Sequence, residues 1–118
     1  MKIIVFYIEN KPYGIRIDYL LQVLDGNAPI TKLPRAPKYI LGIINFEGVL
    51  VPIVDACEFF GLKRTERSRK LDAKIIVVHY LDIKAGLLIE GNTELKEEPF
   101  NIDGLEIIDI ENILSCKK

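Results

Sequence analysis

The chain has few of the residues that carry catalysis, metal binding or disulfide cross-linking. Its 118 residues include one histidine, two cysteines and no tryptophan. A zinc site needs about four ligands at motif spacing, which His79, Cys57 and Cys116 do not provide. Two cysteines are too few to staple a secreted domain, so we expect reduced thiols in a cytoplasmic protein. The sequence therefore predicts no metal and no cofactor.

The chain also lacks the local signatures of a reaction centre. His79 is embedded in an apolar run, where a lone histidine is more often packed than catalytic. Neither cysteine and neither serine, Ser68 or Ser115, lies in a nucleophile-elbow motif. Gly86 and Gly91 are not followed by the Lys-Ser/Thr pair that completes a phosphate-binding loop. We therefore predict a protein that is not an enzyme and has no catalytic residues.

An excess of charge of one sign and long apolar runs are missing too. The formal net charge is −1, from 16 basic and 17 acidic residues. Nucleic acid needs a basic face, so we expect no nucleic-acid partner. The apolar run at residues 3–8 is too short for a signal peptide or a membrane span, which predicts no direct membrane insertion. The charged run at residues 63–70 is interpreted as a solvated loop or, alternatively, a basic contact for an acidic partner.

Short apolar runs separated by turn residues are present, and they predict an all-β fold with short helices. The predicted strands cover roughly residues 2–8, 13–17, 39–45, 49–54, 74–81, 85–90 and 105–108. Residues 17–24 mix the patterns of a strand end and a helical turn. Asp55 and Asp109 are predicted to begin short helices, and Gly61 is predicted to end the first of them.

The two halves of the chain resemble each other. Residues 3–17 align without gaps onto residues 75–89, and residues 48–55 are echoed by residues 104–109. Strand, turn, Gly and Asp recur in the same order, so we favour duplication over a chance likeness of β-branched runs. We predict a single domain over residues 1–118, with repeat units at about 3–62 and 75–114. The second unit is shorter because it has no counterpart of the segment between Leu20 and Gly42.

The segment from Leu33 to Asp55 resembles a known family. Its pattern is Pro34-x-x-Pro37-x-Tyr39-Ile40-x-Gly42-x-Ile44-Asn45-x-x-Gly48-x-x-x-Pro52-Ile53-x-Asp55. This pattern is similar to the signature of CheW-like domains, the adaptors of bacterial chemotaxis arrays. The resemblance implies two intertwined, SH3-like small β-barrels. Because the second repeat is short, we expect the second barrel to be abbreviated and open at one edge, through which the chain would form a homo-oligomer.

The resemblance also implies a function. A CheW-like protein is a non-enzymatic, cytoplasmic adaptor that couples the cytoplasmic tips of methyl-accepting chemoreceptors to the regulatory domain of a CheA-type histidine kinase. The partner-binding residues that it implies here are Leu20, Gln22, Gly42, Asn45, Glu47 and Gly48. Each has a structural alternative: the glycines serve the backbone, Leu20 belongs to the core, Asn45 caps a turn and Glu47 is solvated.

Two departures from the family pattern favour an alternative function. Glu47 stands where the family usually carries Arg, which removes a fork-like donor able to grip carboxylates. Gln22 stands where an acidic residue is common. The alternative is a divergent CheW-like scaffold or homo-oligomeric interaction module outside the chemotaxis array. A small-ligand-binding barrel has less support, because no polar cluster interrupts the apolar strands.

Overall fold

The computed structural model describes residues 1–61 and 73–114 and consists mainly of β-strands. The strands are β1 (Lys2–Ile8), β2 (Lys11–Arg16), β3 (Leu20–Asp25), β4 (Ile40–Phe46), β5 (Val49–Asp55), β6 (Ala73–Tyr80), β7 (Ile83–Glu90), β8 (Glu94–Glu97) and β9 (Glu106–Ile107). Two short helices, α1 (Ala56–Phe59) and α2 (Ile110–Leu114), follow β5 and β9. The predicted all-β fold with short helices is confirmed. The charged run 63–70 and Cys116 lie outside the described residues.

Two hairpins form the centres of two sheets, and each is flanked by strands from the other half of the chain. The β1–β2 hairpin lies in the order β8-β1-β2-β9, and the β6–β7 hairpin lies in the order β3-β6-β7-β5-β4. The flanking strands pair in the same sense in both sheets. β8 and β3 run antiparallel to their hairpins, whereas β9 and β5 run parallel to theirs. This exchange of strands is the intertwined arrangement that the family resemblance implies.

The two sheets differ by one strand. β4 pairs with the outer edge of β5, whereas no strand of residues 1–61 or 73–114 pairs with the outer edge of β9. The segment before β4 extends the larger sheet, because Thr31 and Ile43 exchange two backbone hydrogen bonds of 2.8 Å. One barrel is therefore abbreviated, as expected. Because the strands are exchanged, however, the shorter sheet is built around the first hairpin.

The main hydrophobic cluster lies between the two sheets, and a second cluster lies on the opposite face of the larger sheet. The main cluster joins both hairpins through side chains such as Phe6, Ile15, Ile76 and Leu87. Ile75, the neighbour of Ile76, belongs to the second cluster. The β6–β7 hairpin is therefore buried on both faces. This explains why its strands are nearly continuous apolar runs rather than alternating patterns.

Two strands were not predicted from the sequence. β3 occupies the segment with the mixed pattern, and its register shifts between Leu20 and Gln22, which breaks the alternation of buried and exposed residues. β8 is exposed along its whole length and carries Glu94, Lys96 and Glu97. Such a strand has no apolar alternation, and it exists because β1 supplies the partner groups of its ladder.

Candidate partner-binding surfaces

The β4–β5 hairpin carries four of the six residues implied by the family resemblance. Glu47 and Gly48 form its two-residue loop, with φ values of 52° and 84°. Positive φ at both positions is typical of a type I′ turn, whose twist matches that of the flanking strands. The side-chain oxygen Oδ1 of Asn45 accepts a hydrogen bond of 2.9 Å from the Gly48 N–H. Asn45 therefore stabilises the turn, and Glu47 lies exposed at its tip.

Gly42 is buried in β4, at a register shift between Ile40 and Gly42. A Cβ atom at Gly42 would collide with the carbonyl oxygen of Thr31 and approach Ile30 Cγ2 to 2.8 Å. The strand segment around Thr31 can thus approach β4 only because residue 42 has no side chain. The structural explanation accounts for this glycine without any partner.

Leu20 and Gln22 lie on β3, which is separated from β4 by three strands in the sheet order. Leu20 is half-buried and packs against the main core, whereas Gln22 is exposed. Register pairs connect Gln22 to Gly42 at one level across the sheet, through Val77, Gly86 and Ile53. The structure therefore places these residues on two opposite edge strands, and it groups only Gly42, Asn45, Glu47 and Gly48 on one hairpin.

Sequence reasoning missed a set of exposed apolar side chains, which we name the barrel-end patch. It consists of Val49, Leu50, Leu81 and Ile83, which are 44%, 65%, 77% and 53% exposed. These residues lie at the turns of the β4–β5 and β6–β7 hairpins. The parallel pairing of β5 with β7 begins at Ile53 and Gly86, so both turns lie beyond its start, at the same end of the larger sheet. The patch is thus shared by two adjacent strands at one end of the sheet.

Leu81 carries a signal of this patch that is visible in the sequence. It has a φ of 57°, a left-handed conformation that is uncommon for a bulky side chain. The aligned turn of the first half uses Glu9 and Asn10, which are polar. An exposed apolar residue therefore stands at the tip of this hairpin, where a polar residue suits the backbone better.

The other sheet carries an aromatic stack around Tyr13. The Tyr13 ring stacks on Phe6 and Phe60, with centroid distances of 5.9 and 4.9 Å. Burial raises the pKa of the Tyr13 hydroxyl; the nearby Lys11 ammonium opposes this shift and the Glu106 carboxylate adds to it. Lys11 Nζ also lies 3.3 Å from Glu106 Oε1, which ties β2 to β9. These contacts attach the short strand β9 to the rest of the sheet.

The described residues contain no cluster of three or more His, Cys, Asp or Glu side chains arranged to hold a metal ion. His79 is half-buried on β6. Cys57 is buried on α1, the short helix that was predicted to begin at Asp55. Within residues 1–61 and 73–114, no helix has the length and apolarity to cross a membrane.

Two interlocked sheets of exchanged strands define an SH3-like double-barrel domain. The chain belongs to the CheW-like domain family, whose model matches residues 2–101. The resemblance carried by Leu33 to Asp55 is therefore confirmed.

Relatives with known names support this assignment. The chain is 28% identical over 121 residues to chemotaxis protein CheW of Bacillus subtilis, covering 96% of this chain and 76% of that protein. It is 33% identical over 96 residues to chemotaxis protein CheW of Helicobacter pylori, covering 80% of this chain and 55% of that protein. It thus aligns with only about half of the latter's length. The crystal structure of the scaffolding protein TtCheW from Thermoanaerobacter tengcongensis matches with a TM-score of 0.76 and 28% identity, covering 92% of this chain and 88% of that one.

Proposed function

We propose that this protein is a non-enzymatic, cytoplasmic chemotaxis adaptor that couples chemoreceptors to a CheA-type histidine kinase. The observation that carries the proposal is its membership of the CheW-like family, together with relatives named chemotaxis protein CheW and a similar scaffolding protein. An adaptor of this kind performs no chemistry. It transmits a signal because one partner changes the free energy with which the adaptor binds the other.

The barrel-end patch is the proposed docking surface for the regulatory domain of the kinase. Single exposed apolar residues are ordinary, but four of them at adjacent turns make a patch of the kind found at protein interfaces. Burying them removes apolar area from water, at roughly 25 cal/mol per Å² before the costs of association. A partner of the same barrel type would present a similar end, so barrel would dock on barrel.

The proposed receptor contacts are Gln22 on β3 and Glu47 at the tip of the β4–β5 turn, which belong to opposite edge strands of the larger sheet. Both side chains are exposed, and neither packs in the core. Leu20, Gly42, Asn45 and Gly48 would support these two contacts through the backbone and packing. Receptor helices would then be recognised mainly through the negative charge of Glu47.

The kinase proposal is tested by measuring the affinity of the purified protein for the regulatory domain of its cognate kinase by calorimetry. Leu50→Asp and Leu81→Asp should each weaken binding at least about tenfold, because a charge would be buried in the interface. Leu95→Asp is the matched control, since Leu95 is 63% exposed on β8 of the other sheet. Equal affinities for all three variants would reject the barrel-end patch, and absence of binding by the wild-type protein would reject the adaptor function.

Glu47 favours a second candidate function, a divergent CheW-like scaffold outside the chemotaxis array. It places a negative charge at the tip of the hairpin where the family resemblance leads us to expect Arg. A receptor surface that pairs with a guanidinium would repel this carboxylate. The two candidates are distinguished by the calorimetric experiment and by gene neighbourhood, because an adaptor is expected beside kinase and receptor genes.

A further inference from the structure

The outer edge of β9 and a cavity beside it have no role in the adaptor function proposed above. The cavity has a volume of about 310 Å³, opens to solvent and lies between α1, β9 and α2. Directly after β9, the N–H of Ile108 donates a hydrogen bond of 2.8 Å to the carbonyl oxygen of Gly14 on β2. Since alternate residues of a strand bond to a given neighbour, the N–H and C=O of Ile107 point towards the outer edge. No strand of the described residues lies there.

The helices after β5 and β9 begin in the same way. The side chain of Asp55 accepts a hydrogen bond of 3.1 Å from the N–H of Cys57. The side chain of Asp109 accepts one of 3.0 Å from the N–H of Glu111. Both aspartates therefore cap the N–H two residues later. Positions counted from these two caps correspond between the halves of the chain.

Counting from the caps identifies what should cover the cavity. Val54 precedes the first cap by one residue and Phe59 follows it by four, so they correspond to Ile108 and Ile113. Both of these isoleucines line the cavity. In the first half of the chain, other residues contact Val54 and Phe59. The cavity lies at the corresponding position in the second half.

In the first half that place is filled by Tyr39 and Ile40. The Tyr39 ring packs edge-on against Phe59 with centroids 5.3 Å apart. Ile40 pairs with Val54 in the β4–β5 ladder. The carbonyl oxygen of Tyr39 accepts a hydrogen bond of 2.7 Å from the N–H of Asp55. The cavity and the outer edge of β9 thus share one origin, since no described residue of the second half stands in the place of Tyr39 and β4.

The charge distribution indicates what kind of segment would fit. Residues 97–114 contain six acidic side chains and no Lys or Arg. Glu106, at the cavity, is already paired with Lys11, but Asp103 and Glu111 are exposed nearby in the sequence. The segment that leads into β4 and includes it has the opposite charge, because residues 26–46 contain three basic side chains and no acidic one. An incoming strand of similar composition would be complementary, whereas two β9 edges would face each other with like charges.

We propose that an extended segment of another protein adds to β9 as an antiparallel fifth strand. Its backbone pairs with Ile107, an aromatic or large aliphatic side chain fills the cavity over Ile108 and Ile113, and a neighbouring Lys or Arg meets the acidic flank. Main-chain pairing supplies affinity and the cavity supplies specificity, as in other cases of strand addition. This site goes beyond the adaptor function, because it lies on the other sheet from the barrel-end patch.

The test uses a fluorescent peptide with the sequence of residues 32–46 of this chain, which contains Lys38, Tyr39 and the β4 strand. Fluorescence anisotropy measures its binding to the whole protein. We expect saturable binding that weakens with salt, and at least about tenfold weaker binding when the peptide carries Tyr39→Ala. Hydrogen exchange of the Ile107 amide should slow in the complex.

Two protein variants test separately whether peptide binding depends on the backbone edge of β9 and on the acidic side chains. Ile107→Pro removes the outward N–H and should weaken peptide binding at least about tenfold. The double variant Asp103→Lys and Glu111→Lys changes only exposed side chains and should weaken it at low salt. Asp82→Lys, on an exposed turn of the other sheet, is the matched control and should bind as the wild type does. Circular dichroism checks that each variant is folded.

Three results would overturn the proposal. The first is that the wild-type protein does not bind the peptide. The second is equal affinity for the wild type, a folded Ile107→Pro variant and the charge-reversed variant. The third is wild-type self-association, detected by light scattering and abolished by Ile107→Pro, which would make a second copy of the chain the occupant. None of these results depends on kinase binding, so this proposal and the adaptor function can fail separately.

Discussion

Replacing Gly42 by Ala should destabilise the protein strongly, although it adds a single methyl group. The new Cβ would overlap the carbonyl oxygen of Thr31, which belongs to the backbone and cannot rotate away. Thr31 and Ile43 would have to separate, and their two hydrogen bonds of 2.8 Å would be lost. The larger sheet would then lose the contact by which the chain before β4 packs against it.

The magnitude follows from these losses. Two net backbone hydrogen bonds contribute about 1–3 kcal/mol. The φ of 153° at Gly42 adds strain for any residue with a side chain, of order 1 kcal/mol. We therefore expect Gly42→Ala to lower the free energy of unfolding by about 3 kcal/mol, which for a domain of this size lowers the Tm by roughly 12 °C.

Gly48→Ala is the matched control. Gly48 has a φ of 84°, but a Cβ atom at this position would meet no heavy atom within 4 Å. Only the left-handed backbone penalty of about 1–2 kcal/mol therefore applies. Thermal and urea unfolding followed by circular dichroism would measure both variants. A Tm for Gly42→Ala equal to or above that of Gly48→Ala would refute the steric argument.

Three further predictions concern single side chains. Glu47→Arg should change the free energy of unfolding by no more than about 0.5 kcal/mol and so leave the Tm nearly unchanged, while changing receptor binding; a large loss of stability would show that Glu47 is structural. Cys57 should react slowly with a thiol reagent in the native protein and rapidly in denaturant, measured in a Cys116→Ser background; fast native labelling would contradict its burial. Burial raises the folded-state pKa of the Tyr13 hydroxyl. The contribution of this neutral hydroxyl to the stability of the fold is therefore complete below about pH 10 and is lost as the pH rises further. Tyr13→Phe should therefore reduce the alkaline loss of stability seen in urea unfolding, and an identical pH dependence would contradict this.

The sequence predicted the local geometry of the candidate site but not its long-range contacts, and particular residues show why. The motif from Leu33 to Asp55 located the β4–β5 hairpin and its turn, because Gly48 and Asn45 act within a few residues of each other. Gly42 was predicted as a partner-binding residue, with a backbone role as its alternative. The reason for this glycine is Thr31, which lies eleven positions away and contacts it only through the closure of the sheet.

The barrel-end patch was missed for a related reason. Leu50 and Ile83 stand in strands that read as ordinary apolar runs, and their exposure depends on where the two hairpins end relative to each other. Sequence periodicity reports which residues share a face of a strand, but it does not report how far that strand extends beyond its neighbours.

The local elements and the inequality of the two halves follow from the amino-acid pattern alone. Apolar runs, turn residues and helix caps act over a few positions, so β1, β2 and the β6–β7 hairpin could be predicted from them. Which strands flank which hairpin depends on the tertiary structure, and so does the finding that no strand of the described residues pairs with the outer edge of β9, in the sheet of the first hairpin. β8 and β9 contain no buried residues, so these segments become strands only because β1 and β2 offer hydrogen-bonding partners to their backbone groups.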